Sequence, residues 1–278
     1  MKSVNWLLEK NIFFDTESKM CEIIRNHGHN VKLIEYIPVL HEIKSIPFSE
    51  NSCIVFYGSL NAASVIKKLY NLYPGIYGTF PNYDYITYSK YFRDFMLNKD
   101  FDIYPYYMLL NSERMIYDMY GVDDTVFIRP DSGMKPFTGR TVSRDEFEKV
   151  VTGEFTLYGD ISPDSICIVS SPKTIVSETR FVIVDDEIIT GSEYRRDGKH
   201  YESDTPDAVQ WFFLENMIEK TTYRPDRVWI ADTCITSDDK IHLLEIGSFS
   251  CSGLYKNNLD VIVEKVSNVA LEMYKKGV

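Results

Sequence analysis

Apolar positions in the N-terminal part of the chain alternate between strand-like runs and helical spacing. Thr16 can cap the first helical stretch. The segment from Tyr83 to Leu97 is rich in aromatic residues and predicts a helix whose rings pack in the core. The other predicted elements are a helix over 16–27, strands at 31–34 and 53–56, and a helix over 62–73. This order is typical of an α/β unit, which we place at residues 1–105.

Hairpins replace single strands after this unit. The predicted elements are a helix over 112–120, strands at 125–129 and 167–169, a helix near 145–151, a hairpin of strands 176–184 and 187–195, and helices over 205–220 and from 259 onward. Hairpins mixed with helices predict an α+β arrangement for residues 106–278.

A hairpin over residues 228–246 carries the most informative pair of side chains. Its two apolar runs fold back through a polar turn, which sets Thr236 opposite Ile241. Counting outward from the turn puts Asp232 directly opposite Glu245. The hairpin is therefore predicted to hold two carboxylates side by side.

Strict alternation also assigns a face to each acid. It places Asp232 on the side of Ile230 and Glu245 on the side of Leu243, so both carboxylates end a largely apolar surface. Like charges in this position destabilise a sheet unless a shared proton or a bound divalent cation compensates them. Oxygen ligands alone suit Mg²⁺ or Mn²⁺. A surface hairpin with unpaired acids is the alternative.

A basic residue and a loop of small residues follow the strand at 125–129. Arg129 alternates with Phe127, which predicts that Arg129 points outward at the strand end. The loop over residues 131–139 offers Lys135 and small side chains that leave backbone N–H groups free for a phosphate. It lacks the G-K-[ST] ending of a Walker A loop. A surface loop that happens to contain a lysine is the alternative.

The hairpin over residues 176–195 has one charged face. A two-residue turn predicts that Glu178 pairs with Glu193, with Arg180 and Arg195 on the same face. Arginine forks bind phosphate oxygens bidentately, so this face suits a phosphate site. Charges that simply face solvent are the alternative.

Composition excludes several classes of function. The net charge of −11 argues against a nucleic-acid backbone as the main partner. No apolar run approaches the roughly 20 residues of a membrane span, and the N-terminus lacks the features of a secretory signal. Five scattered cysteines without a CxxC pair argue against disulfides and zinc. These features predict a cytoplasmic protein that binds neither nucleic acid nor membrane.

The order of these pieces resembles the ATP-grasp superfamily, and in particular its divergent clade marked by two arginines and one lysine. The segments that carry the resemblance are FIRPDSGMKPFTG, SSPKTIVSETRFVIVDDEIITGSEYR and HLLEIGSFSCSGLY. The resemblance implies an ATP-grasp domain over residues 106–278, with two α+β subdomains at about 106–168 and 169–278 that clasp ATP. It also implies that residues 1–105 form an α/β pre-ATP-grasp domain, so that the fold class is α+β.

The resemblance assigns three roles to residues at matching positions. The first group would contact ATP, the second would act on the γ-phosphate and the acyl-phosphate formed from it, and the third would bind a divalent metal. The implied residues are Arg129, Lys135, Ser170, Ser171, Glu178 and Arg180 for ATP, Arg180, Arg195 and Lys135 for catalysis, and Asp232 and Glu245 for Mg²⁺ or Mn²⁺.

The implied reaction joins a carboxylate to an amine, or to a similar nucleophile, and releases ADP and phosphate. The substrate would be a peptide, a protein or a small metabolite, and the SFSCSGLY segment, with Ser248, Ser250, Ser252 and Tyr255, is a candidate wall of its pocket. Many members carry asparagine two residues after the metal-binding glutamate, where this chain has Gly247. A non-ligating ATP-binding assembly or chaperone-like factor is one alternative, and a kinase that stops after phosphoryl transfer is another.

Overall fold

The computed structural model describes residues 3–49, 51–156 and 161–277. Its α-helices are α1 (Phe14–Asn26), α2 (Leu60–Leu69), α3 (Tyr85–Phe92), α4 (Leu109–Tyr120), α5 (Phe147–Thr152), α6 (Ala208–Lys220) and α7 (Leu259–Gly277). Its strands are β1 (Asn5–Glu9), β2 (Asn30–Ile34), β3 (Tyr36–Ile37), β4 (Glu42–Ile43), β5 (Cys53–Tyr57), β6 (Tyr73–Gly75), β7 (Asp102–Pro105), β8 (Thr125–Pro130), β9 (Arg140–Ser143), β10 (Ile166–Ser170), β11 (Ile175–Val184), β12 (Glu187–Arg196), β13 (Lys199–Ser203), β14 (Val228–Thr236) and β15 (Ile241–Ser248).

The larger sheets follow one another along the chain. The first is parallel, in the order β2-β1-β5-β6. The second is antiparallel, in the order β7-β10-β8-β9, and the third is antiparallel, in the order β13-β12-β11-β14-β15. A parallel unit with helices followed by antiparallel sheets with helices confirms the predicted α+β class and the α/β character of the N-terminal part.

The pattern of apolar positions misplaces some element ends. Strands β1, β3, β4, β6, β7, β9 and β13 are not predicted, and α2 and α3 end earlier than expected. Helix α6 begins at Ala208 and not at Thr205, because the Asp207 carboxylate accepts a hydrogen bond of 2.9 Å from the Val209 N–H and so caps the helix.

The five-stranded sheet lies between two hydrophobic cores. On one face, Val182 and Ile230 pack with β1, β5, α1 and α7. On the other face, Phe181, Trp229 and Leu243 pack against α3 and α6. N-terminal elements therefore cover both faces of the C-terminal sheet, which fixes the relative position of the two parts of the chain.

The four-stranded antiparallel sheet buries one face under α4 and α5. Strand β7 pairs with β10 at its edge, so the proposed boundary after residue 105 falls directly after a strand of this sheet. Arg129 alternates with the buried Ile128 on β8 and lies on the opposite face.

The described helices include none that is both long and apolar enough to cross a membrane. The five cysteines are all free.

Candidate active site

The two acids predicted to face each other on strands β14 and β15 are paired. Asp232 and Glu245 are Cα partners in the ladder. Their pairing arises differently from the prediction, because Thr236 is not the partner of Ile241. A β-bulge places one extra residue, Leu244, in β15 and so restores the predicted pairing at the acids.

The same bulge changes the face of Glu245. Leu243 and Ile246 both pack in the core under α3 and α6, whereas Ile230, two residues before Asp232, packs in the opposite core. The prediction that Glu245 shares the face of Leu243 is therefore wrong. Alternation from Ile246 places Glu245 on the same side as Asp232.

The charged face of the β11–β12 hairpin is present, but its register differs. Glu178 is the ladder partner of Arg195 and not of Glu193, because two irregularities along the hairpin shift the pairing by two residues. Phe181 and Ile183 pack in the core on the opposite face, as predicted. The shift places Arg195 directly opposite Glu178, whereas the prediction put the two residues only on the same face.

A buried ion pair joins Arg180 on β11 to Asp232 on β14. The Arg180 Nε and Nη2 groups donate to the two Asp232 oxygens at 2.8 and 2.7 Å. Asp232 is only 2% exposed, and the Arg180 side chain is 11% exposed. The remaining Nη1 group donates to the Gly253 carbonyl at 3.0 Å. Arg180 thus ties both strands to the segment that follows β15.

Glu245 binds two cations from the neighbouring sheet. Lys135 Nζ lies 2.7 Å from its Oε1, and Arg129 Nη2 lies 3.2 Å from its Oε2. Burial alone would raise the pKa of Glu245, but the charges of Lys135 and Arg129 outweigh burial and lower the pKa to about 2. These ion pairs connect β8 and its loop to the edge of the five-stranded sheet.

The repulsion expected between Asp232 and Glu245 is therefore compensated by cations. The charges of Lys135 and Arg129 lower the pKa of Glu245 and so favour its ionised form over a proton shared with Asp232. Arg180 neutralises one acid, and Lys135 and Arg129 neutralise the other. All three cations are residues that the sequence singled out for phosphate binding.

Helix α3 covers Arg129, so the prediction that it points outward is wrong. Arg129 is 9% exposed, and its guanidinium carbon lies 4.7 Å from the centroid of the Tyr85 ring. The loop after β8 holds the start of α3, since the Asp131 carboxylate accepts from the Ile86 N–H at 2.7 Å. The sequence placed these aromatic residues in the core, but gave no signal that one of them contacts the site.

Lys135 lies in a loop that is anchored by the packing of Phe137. Its backbone adopts a left-handed conformation (φ 48°), which is uncommon for a residue other than glycine. Two residues later, Phe137 is 4% exposed and stacks on Phe155, with ring centroids 4.1 Å apart. The Lys135 side chain itself is 42% exposed, so it reaches Glu245 from the solvent side.

Glu178 belongs to the same group of charges. The Tyr194 hydroxyl donates to Glu178 Oε2 at 2.7 Å and lies 3.3 Å from Asp232 Oδ2. Arg195 Nη1 lies 3.5 Å from Glu178 Oε1, although the Arg195 side chain is 52% exposed. Burial raises the pKa of Glu178 above its usual value, while the Tyr194 hydrogen bond and Arg195 oppose the rise.

Two stacked tyrosines lie beneath Arg180. The rings of Tyr194 and Tyr255 are 4.7 Å apart and inclined by 7°. The guanidinium carbon of Arg180 lies 5.4 and 5.2 Å from their centroids. The sequence marked Tyr255 as a candidate pocket residue, but nothing in it indicated a role for Tyr194.

The serines of the SFSCSGLY segment hold the segment in place. Ser248 Oγ donates to the Tyr77 carbonyl at 2.7 Å, and Ser250 Oγ accepts from the Tyr77 N–H at 3.0 Å. Ser252 Oγ donates to the Ser248 carbonyl at 2.7 Å. These hydrogen bonds fasten the segment to the N-terminal part, so the serines have a structural role that the sequence did not predict.

Ser170 and Ser171 lie at the end of β10, beside β8. The Ser170 hydroxyl is fully buried and has no hydrogen-bond partner within the described residues. The Ser171 carbonyl accepts from Lys173 Nζ at 2.7 Å. Across the ranges that the structure describes, neither serine forms a hydrogen bond with the charged side chains above, so their proposed contact with adenine stays a prediction.

The donor set fits a Mg²⁺ ion that is shared with a triphosphate. No group of three or more histidine, cysteine or acidic side chains occurs in the described part of the chain that could hold a metal alone. Mg²⁺ is commonly held by one or two carboxylates together with substrate phosphates, and Asp232 and Glu245 offer two carboxylates on adjacent strands. The surrounding cations match the phosphate charge.

Comparison with solved structures defines the class of fold. A D-cycloserine synthetase matches with a TM-score of 0.62 and 11% identity, over 96% of this chain and 100% of its own. The D-alanine–D-alanine ligase from Bacillus anthracis complexed with ATP matches with a TM-score of 0.63 and 10% identity, over 100% of both chains. The ATP-grasp ligase PsnB complexed with a minimal precursor gives 0.56 and 8%, over 97% and 100%.

These identities show a shared fold alone, the ATP-grasp fold over essentially the full length of the chain. No curated protein matches the sequence. A family model does match residues 114–263, and the chain belongs to that family, the ATP-grasp domain of R2K clade family 2.

Proposed function

We propose that this protein is an ATP- and Mg²⁺-dependent ligase that joins a carboxylate to an amine or a similar nucleophile. The observation that carries the proposal is the convergence of Arg129, Lys135 and Arg180 on the paired acids Asp232 and Glu245. Phosphoryl transfer asks a protein mainly for positioning and for neutralisation of charge. Membership of an ATP-grasp family supports ATP as the nucleotide.

Each carboxylate has a role in this proposal. When bound, Mg²⁺·ATP supplies the transferable phosphoryl group and a metal charge that offsets its oxygens, with Mn²⁺ as a substitute. Asp232 and Glu245 hold the metal ion, and Glu178 lies near the nucleotide. When the nucleotide binds, Arg180 and Lys135 release their carboxylate partners and bind phosphate oxygens instead. The carboxylates and the phosphate oxygens are both anionic, so each cation keeps an anionic partner.

The cations and the two serines at the end of β10 complete the assignment. Arg129 contacts the α- and β-phosphates, while Arg180, Arg195 and Lys135 hold the γ-phosphate and the acyl-phosphate formed from it. Ser170 and Ser171 offer backbone groups to adenine.

The reaction has two covalent steps. A carboxylate oxygen of the substrate attacks the γ-phosphorus, and the bond from that phosphorus to the bridging oxygen breaks with its electrons leaving on ADP. The amine nitrogen then attacks the carbonyl carbon of the acyl-phosphate, a C–N bond forms, and the C–O bond to phosphate breaks. The amine loses its proton to solvent. The products are an amide, ADP and phosphate.

Nucleotide titration of the Glu245→Gln variant tests the site. The variant keeps the size of the side chain but loses the charge that would hold the metal, so Mg²⁺-dependent ATP binding should be lost, as measured by isothermal titration calorimetry. Asp238→Asn, at the exposed turn of the same hairpin, should bind as the wild type does. Equal affinity in Glu245→Gln and wild type would show that the site assignment is wrong.

A second candidate is an ATP-binding assembly or chaperone-like factor that ligates nothing. The chain favours it slightly, since it carries Gly247 where many members of the family have asparagine as a further metal ligand. ADP release that depends on an added carboxylate would support the ligase. ADP release without a carboxylate, or none with any carboxylate, would favour the factor.

The nature of the substrate is the remaining part of the proposal. The PsnB structures contain a minimal precursor or a precursor peptide, which supports a peptide as one candidate for this chain. We place the reaction in the cytoplasm, because the five free cysteines suit a reducing compartment.

A further inference from the structure

A cavity of about 650 Å³ lies between the start of α1 and the segment that follows β15. This volume lies within the range of small-molecule sites in proteins. Part of the lining is apolar, from Ile12, Phe13 and Leu254. The Phe13 ring lies 4.8 Å from that of Tyr57, whose hydroxyl donates to the Ser252 carbonyl at 2.8 Å, so this wall has a fixed position.

The cavity adjoins the proposed phosphoryl-transfer site. Gly253 and Tyr255 line it, and both contact Arg180. Arg180 Nη1 donates to the Gly253 carbonyl, and the guanidinium carbon lies 5.2 Å from the Tyr255 ring. The part of the cavity wall formed by Gly253 and Tyr255 is therefore in direct contact with Arg180.

Among the lining residues that the structure describes, the charged side chains are net positive. Lys19 and Lys256 contribute two positive charges and Glu202 contributes one negative charge. Lys256 Nζ lies 3.7 Å from Glu202 Oε2, so these two charges partly offset each other. A positive lining contrasts with the net charge of −11 of the whole chain, which otherwise repels anions.

We propose that this cavity binds the carboxylate substrate, and that this substrate carries a second anionic group beside an apolar or aromatic body. The inference rests on the proposed ligase function. The reacting carboxylate lies toward Arg180, the body packs on Phe13 and Leu254, and the second anion lies toward Lys19 and Lys256. The volume suits an amino-acid derivative or a dipeptide.

A matched pair of probes tests the second anion. N-benzoyl-glutamate and N-benzoyl-glutamine have nearly the same size and share an aromatic group and an α-carboxylate, but only the first has a second negative charge. Binding is measured by calorimetry with ADP and Mg²⁺ present. Turnover is measured as ADP release with ATP, and as hydroxamate formed from hydroxylamine. N-benzoyl-glutamate should bind about tenfold more tightly, the size of one charge-assisted contact.

Variants assign the preference to the cavity. Lys19→Gln and Lys256→Gln should each remove most of the preference for N-benzoyl-glutamate and leave the affinity for N-benzoyl-glutamine unchanged. Lys265→Gln removes a partly exposed lysine that pairs with Glu187 outside the cavity, so it should change neither affinity. Equal binding of both probes to the wild type, or equal loss in all three variants, would overturn the inference.

A steric variant tests the apolar wall. A Cβ at Gly253 would lie 3.7 Å from Phe13 Cε1, an ordinary contact, so Gly253→Ala should fold normally and narrow the cavity. It should weaken binding of N-benzoyl-glutamate more than of N-acetyl-glutamate, which lacks the ring. An equal effect on both would contradict the placement of the aromatic body.

The two proposals fail in different ways. Preferential binding of N-benzoyl-glutamate without ADP release or hydroxamate would support the cavity and contradict the ligase. Hydroxamate formed equally well from both probes would support the ligase and contradict the second anionic group.

Discussion

The buried pair of Arg180 and Asp232 gives a sharp test of what holds the site together. Replacing Asp232 with asparagine keeps the shape of the side chain and one acceptor oxygen but removes the charge. Arg180 is then left 11% exposed without its counter-charge. Removing one partner of a buried ion pair costs about 3–5 kcal/mol, because the remaining charge loses both water and partner.

The amide should place this variant at the lower end of that range, at about 3 kcal/mol. Arg180→Met should cost a similar amount, since it strands the carboxylate of Asp232, which is 2% exposed. The double variant buries no unpaired charge, so its loss should be smaller than the sum of the two single losses by about 2 kcal/mol.

Urea unfolding followed by tryptophan fluorescence measures these differences as shifts of the midpoint at constant slope. Asp238→Asn, in the exposed pair with Lys240 on the same hairpin, should leave the midpoint where it is in the wild type. Additive single losses, or a loss below about 0.5 kcal/mol for Asp232→Asn, would show that the pair is effectively solvated and would refute the reasoning.

Three further predictions follow from single contacts. The folded-state pKa of Glu245 is lowered from 4.5 to about 2, so its stabilising effect is complete above pH 4.5 and is lost as the pH falls toward 2. Glu245→Gln should therefore flatten the dependence of the urea midpoint on pH in that window, and an unchanged slope would contradict the ion pairs. Lys135→Met should lower the rate of ADP release by about 10²–10³, whereas a rate like that of Lys265→Gln would exclude Lys135 from catalysis. Gly191→Ala should cost about 1–3 kcal/mol in calorimetric unfolding, because its Cβ would lie 2.6 Å from ring carbons of the buried Phe181, and a wild-type melting temperature would show that this ring can move.

Much of the secondary structure could be predicted because apolar runs mark the buried strands and the apolar faces of the helices. The predicted cap Thr16 is wrong, because it lies inside α1, which begins at Phe14 and has no side-chain cap hydrogen bond. Strand β1 escaped prediction although Trp6 and Leu7 are fully buried. Both of its faces are covered, so the alternation that marks a half-buried strand is absent.

The candidate site shows a different limit. Counting from the turn gave the Asp232–Glu245 pairing, yet it gave the wrong face for Glu245, because a β-bulge depends on packing and leaves no clear mark in the sequence. The contacts of Arg129 with Tyr85 and of Glu178 with Tyr194 could not be predicted from the sequence either. They depend on how distant segments meet, and periodicity carries no information about that.

Helices α1, α3 and α7 cover the five-stranded sheet. This cover limits which fragments of the chain can be produced alone. The stretch recognised by the family, 114–263, excludes α1, α3 and most of α7. Produced alone, that stretch would keep α6 but would leave Trp229 and Phe181 on one side and Ile230 on the other without the apolar neighbours that the N-terminal elements and most of α7 supply. It would also lack the aromatic ring that lies over Arg129. Such a fragment would expose apolar surface on both faces of the sheet. The nucleotide-binding part is therefore a region of the polypeptide that cannot be separated from the rest of the chain.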